Sequence, residues 1–305
     1  MDIQILNEST WQRLAKEHRD SMRCWTEPFR ARRKVGRTHP IHDFLFVYYQ
    51  NSSKKIEQWH PGVGVRLEDA ARQGAKSSFW PTCFSQHYRT IGNDLICDPS
   101  RLEQKLIDRL RWIESMLRQT ASRKPNFACF GLHEWAMVYK GKQVRHEKTA
   151  KLRISQSAID QLVESRPLTC SHFDAFRFFA IDAQPLNRIK PTLEGRPEIE
   201  QPGCIHANMD LYKWAFKSMP FVGSDLLARC FALAMEARVI DMRASPYDLT
   251  EFGNYPAIMI EKSEGRIEYE ELQQTIAKQA EPLRFELAEK INQVIKLTAV
   301  DVLTS

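Results

Sequence analysis

Between Ser100 and Arg123 the apolar positions recur every three or four residues. Leu102, Leu106, Leu110, Ile113 and Leu117 share one stripe, with charge on the remaining faces, which predicts an amphipathic helix. "STWQRLAKEHRDSMRCW" shows the same period behind a possible capping box, Ser9 with Gln12. "IHDFLFVYY" is apolar enough to be a buried helix or a strand, and Pro40 at a first helical position favours helix. "NFACFGLHEWAMVY" reads as a central buried helix, and Ser157 with Asp160 opens a short one, "AIDQLVES". Two more, "CIHANMDLYKWAFK" and "GSDLLARCFALAMEARVIDMRAS", are separated at Pro220 and Gly223. A long polar helix follows near 266–298, with a kink expected at Pro282. From Thr169 to Gly203 the pattern weakens: "HFDAFRFFAID" fits helix or strand, and "PTLEGRPEIEQPG" is a proline-rich loop. No strand–turn–helix alternation and no repeat is visible. The pattern predicts an all-α fold, one helical domain over 1–305 with about eight to ten helices and long irregular loops.

Composition changes this picture little. The 305 residues are 43% hydrophobic and 27% charged, enough apolar material for a large core. No stretch reaches the ~18 apolar residues of a membrane span, and "MDIQILNESTWQRLAKEHRD" lacks the features of a signal peptide, so the expected setting is the cytoplasm, without a membrane partner. Seven scattered cysteines with no CxxC pair argue against a structural zinc site or a disulfide framework, and Cys129 and Cys230 read as core residues. A net charge of +6 suits approach to nucleic acid or to acidic metabolites without choosing between them. Its densest expression is "RARRKVGR", Arg30 to Arg37, which also reads simply as a solvated helix end.

Candidate chemistry lies in five stretches that embed a histidine, in four of them together with an acid, among apolar and aromatic residues. They are "HPIHDFLFVYY" (His39, His42, Asp43), "QWHPGVGV" (His60), "GLHEWAMVY" (His133, Glu134), "SHFDAFRFF" (His172, Asp174) and "HANMDLYKWAF" (His206, Asn208, Asp210). A buried ionisable group needs a partner, and such groups can partner one another. A shared polar pocket is one reading; scattered structural pairs are the other. In a pocket, Glu134, Asp210 and Asp174 are the candidate acids, oriented by His133, His172 and His206, since a carboxylate in apolar surroundings suits acid–base work. Alternatively His39, His42, His133, His172 and His206 are candidate metal ligands, as in non-haem sites within helical bundles, although neither Glu-x-x-His nor HExxH spacing occurs. Tyr48, Trp135 and Trp214 could stack on a planar ligand, or could simply fill the core. Arg243, in "DMRASPYDL", could clamp a phosphate or carboxylate, or could pair with Asp241 or Asp248 to hold the helix end.

Taken together, "HPIHDFLFVYY", "WHPGVGV", "CFGLHEWAMVY", "CSHFDAFRFF", "EQPGCIHANMDLYKWAFK" and "DMRASPYDL" resemble a bacterial family usually catalogued as 3-methyladenine DNA glycosylase, over about residues 10 to 285. The resemblance implies hydrolysis of a modified purine from DNA with alkylated bases as partner and no cofactor. In helix-hairpin-helix glycosylases a "PGVG" turn, here similar at residues 61–64, binds DNA phosphate, and a catalytic Asp follows about twenty residues on. Here the following segment has acids only at Glu68 and Asp69. Two functions therefore stand: an N-glycosylase working through a buried carboxylate, or a metal-dependent enzyme using histidines, carboxylates and a divalent metal on a small molecule.

Overall fold

The computed structural model describes residues 3–73, 84–141 and 150–300. Among them are twelve α-helices and a four-stranded mixed sheet, so the expectation of a purely helical chain is corrected. The strands are Gln4–Leu6 (β1), Val65–Leu67 (β2), Tyr88–Ile91 (β3) and Asp94–Cys97 (β4), in the order β1-β2-β4-β3. At three or four residues each they are too short to display a two-residue alternation, which explains why the pattern misses them. β1 runs parallel to β2 with Ile5 opposite Arg66, while β3 and β4 form a hairpin around Gly92. The sheet is pinned to the first helix by a small satellite core of Trp11, Leu67, Ala70 and Leu95.

The first helix, α1 (Glu8–Lys34), is capped two residues before the proposed Ser9. Asn7 is the cap, its side chain accepting from the Thr10 amide. The "FLFVY" helix α2 (Phe44–Tyr48) and α3 (Ser53–Glu57) are short, and α4 is Ala70–Gln73. α5 (Gln104–Ala121) buries Leu110, Ile113 and Leu117 as its stripe requires. The expected helix over "NFACFGLHEWAMVY" is only α6, Leu132–Met137, because Phe130 and Gly131 take left-handed backbone. A Cβ on Gly131 would press on Ala244 and Tyr269 at 3.3–3.4 Å, which adds close packing to the positive φ of 73°. α7 (Gln156–Ser165) is capped by Ser155, not Ser157.

The poorly patterned stretch contains α8 (Phe173–Phe176) and α9 (Arg196–Ile199), so the proline-rich segment is not wholly loop. α10 (Ile205–Lys217), α11 (Ser224–Arg243) and α12 (Ser263–Val300) supply the main core; α12 continues through Pro282 as one helix. α10 and α11 bury most of their residues and pack on each other and on α12. No helix among the described residues is long and apolar enough to cross a membrane.

The "PGVG" turn does not join two helices. It leads from the end of α3 into β2 and lies against the start of α11: Val63 N–H donates to Phe221 O (2.9 Å) and Ser224 N–H to His60 O (2.8 Å). Gly62 and Gly223 approach so closely that a Cβ on either would lie 3.0 Å from a carbonyl oxygen across the seam.

Candidate functional site

Six of the sequence-predicted residues, His133, Glu134, His172, Asp174, His206 and Asp210, meet in one buried polar seam between α6, α8, α9, α10 and α11. Helical spacing delivers several of them. His206, Asp210 and Lys213 follow one another up one side of α10, and Arg238 and Asp241 are three apart on α11. His206 joins the two halves of the seam, its ring 4.5 Å from that of His133 and 5.5 Å from that of His172.

One half is organised by Arg196, which is 1% exposed. Its guanidinium donates to Asp210 Oδ2 (2.6 Å), Asp174 Oδ2 (2.9 Å) and Glu200 Oε1 (2.5 Å). Lys213 Nζ bridges Asp174 (2.7 Å) and Asp210 (3.2 Å), Tyr49 donates to Asp210 Oδ1 (2.8 Å), and His172 Nε2 lies 3.3 Å from Asp210 Oδ2. Burial would raise the Asp210 carboxyl, yet Lys213, His172 and Arg196 hold it well below the usual carboxylate range. Both Asp210 oxygens are taken. Trp214 underlies this cluster with Arg196 and Lys213 over its ring at 5.2 and 4.5 Å.

The other half is organised by Arg238, fully buried, which donates through one nitrogen to Glu134 Oε1 (2.9 Å) and Asp241 Oδ2 (2.9 Å). His133 Nε2 lies 2.7 Å from Asp241 Oδ1 and its Nδ1 lies 3.3 Å from Cys129 Sγ. Burial opposes a charge on His133, but Asp241 and Cys129 raise it well above the ordinary histidine value. His206 goes the other way: burial, then the neighbouring His133, push it well below 6.5, so its ring is neutral. Glu134 Oε2 is buried and has no hydrogen-bond partner among the described residues.

Glu134, His206 and Asp174 also line a cavity of about 410 Å³, a volume typical of small-molecule sites. Its apolar wall is Phe44, Tyr48, Met137 and Phe178, and the exposed Val47, Gln50 and Arg177 line its outer end. Phe44 and Tyr48 stack on each other at 5.0 Å, and Tyr48 OH reaches Asp174 O at 3.5 Å.

Of the remaining predicted residues, Tyr48, His39 and Asp43 line the cavity, and the others lie elsewhere. Trp135 is fully buried and donates its indole N–H to Ala244 O (2.8 Å); neither it nor Trp214 lines the cavity. Arg243 holds Pro256 O (2.8 Å) and Glu268 (3.0 Å) at the end of α11. His39 lines the cavity, its ring 4.4 Å from His42, which accepts from or donates to Tyr255 OH (2.8 Å). His60 is buried against Tyr88, and Asp43 receives Arg32 (2.9 Å) and the His39 amide (2.8 Å). Of the proposed metal ligands, His133 and His206 come together with Asp241, their ligand atoms all within 4.8 Å of one another; His39, His42 and His172 do not join them.

Pattern reading misses Arg196, Arg238, Glu200, Lys213, Phe44 and Phe178. Arg238 and Asp241, three apart on α11 and off its exposed polar stripe of Asp225, Arg229 and Glu236, are the one available signal. Comparison of the chain with protein-family models, with curated proteins and with solved structures returns no match.

Proposed function

We propose that the cavity binds a planar, positively charged base and that the protein hydrolyses its N-glycosidic bond, an N-glycosylase-like activity on an alkylated purine. The observation that carries this reading is Glu134: one oxygen is fixed by Arg238, the other has no partner among the described residues, and the side chain lines an aromatic-walled cavity. The bond between C1′ and the base nitrogen breaks with its electron pair leaving on the base. The Glu134 carboxylate stabilises the cationic character that develops at C1′ and takes the proton of the water that adds there. Protonation of the leaving group would require an acid, and His206 is held neutral. A base already cationic through alkylation departs without one, and its charge is favoured beside the Glu134 carboxylate that lines the cavity.

The test is release of free base from methylated DNA by the purified protein. Glu134→Gln, which preserves shape, is expected to lower the rate about 10²–10⁴-fold; unchanged release would remove Glu134 from the reaction.

A second reading rests on the grouping of His133, His206 and Asp241, a two-histidine, one-carboxylate donor set of the kind that holds a non-haem metal ion. Arg238 and His133 already occupy the two Asp241 oxygens, which weighs against it. Elemental analysis of the same preparation decides between them. Stoichiometric metal lost in His206→Ala supports the metal enzyme.

A further inference from the structure

The basic stretch Arg30–Arg37 is not uniform in the folded chain. Arg30 pairs with Glu57, and Arg32 is drawn inward onto Asp43 (2.9 Å). Arg33 and Arg37 are exposed, and no partner of either guanidinium is found among the described residues. Both line a second depression of about 570 Å³, together with Asn51, Ser52 and Ser53. This depression and the aromatic cavity share Thr38, Asp43, Val47 and Gln50 as lining residues, so the two spaces adjoin. Asp43 is the acid at the junction, and its carboxylate is already taken by Arg32 and the His39 amide. What remains toward the depression is two uncompensated guanidinium groups with hydroxyl and amide donors, a set that matches a phosphate.

We propose that this depression is a phosphate subsite and that the substrate is a nucleotide, its base in the aromatic cavity and its phosphate between Arg33 and Arg37. The inference rests on the cavity accepting a base. It adds that recognition is local, reading the phosphate next to the bound base; a phosphate monoester and one phosphate of a nucleic-acid strand present the same chemistry to it.

Calorimetric titration with adenosine, adenosine 5′-monophosphate and a five-residue single strand of deoxyadenylate tests this, in the unmodified protein and in Arg33→Ala/Arg37→Ala. Both arginines are exposed and have no partner among the described residues, so the variant is expected to keep its fold, which its thermal transition verifies. The monophosphate is expected to bind at least about tenfold more tightly than adenosine, and the double variant to erase that margin without changing adenosine binding. Arg33→Lys/Arg37→Lys should restore part of it. A strand binding more tightly than the monophosphate assigns the phosphate to a nucleic acid, and equal or weaker binding assigns it to a free nucleotide. Equal affinity for adenosine and its monophosphate, or a margin that survives the double variant, overturns the subsite and leaves the base reading intact. No binding of any of the three overturns the subsite; the base reading, which asks for a cationic alkylated purine, is decided separately by the release of free base from methylated DNA.

Discussion

Two halves of one buried seam hold the same kinds of side chain and use them differently. Around Arg196, three carboxylates face a guanidinium, a lysine and a tyrosine, and both Asp210 oxygens are taken. Around Arg238, a single guanidinium nitrogen serves two carboxylates, and Glu134 keeps an oxygen without a partner among the described residues, beside a cavity. Whether the carboxylate oxygens are all engaged, more than residue type, separates a buried ion cluster that holds the fold from one available for chemistry. Asp210, an attractive acid by its setting in the chain, belongs to the first kind.

The comparison breaks most visibly at Arg196. Arg196→Ala leaves Asp174, Glu200 and Asp210 without their common cation and should cost roughly 3–5 kcal/mol in a denaturant titration. Glu134→Gln, which keeps an acceptor for Arg238, should cost much less while removing activity. Comparable losses of stability in the two variants would erase the distinction drawn between the halves.

The two imidazoles that meet at 4.5 Å sharpen it next, because they titrate in opposite senses. His133 is raised above its unfolded value near 6.5, so its contribution to stability is complete below about pH 6.5 and is lost as pH rises through the folded value. His206 is depressed, so its contribution is present above about pH 6.5 and fades as pH falls below that, where the unfolded chain takes up a proton that the folded one refuses. Nitrogen-15 spectra at pH 6.5 should show a protonated His133 ring and a neutral His206 ring. Two rings titrating together near 6.5 would contradict the ion pair with Asp241.

The smallest effect is expected at Arg243. Its pair with Glu268 is surface-accessible, so Arg243→Ala should shift stability by less than about 1 kcal/mol. A fall in base release without a matching loss of stability would return Arg243 to the site.

The long helices are legible in the chain because their apolar residues repeat over three or more turns, as Leu110, Ile113 and Leu117 do. The sheet is not, since "QIL" or "VRL" carries too few residues to show a period. The run around His133 misleads for a related reason: an apolar stretch looks the same whether the chain there is helical or, as at Phe130 and Gly131, left-handed. At the site, histidine and acid set among aromatics do mark residues that converge in space. Which of them are satisfied is invisible, because Arg196 and Arg238 arrive from elements whose placement depends on tertiary packing.

The contact of Gly62 with Gly223 has a consequence at a distance. α11 begins at Ser224, directly after that contact, and Arg238 lies fourteen residues further along the same rod, about 20 Å away at the helical rise. The two glycines therefore act as the end-stop that sets the axial position of the rod. A methyl group inserted there would slide or tilt it, and the guanidinium that holds Glu134 would be displaced though nothing near it had been changed.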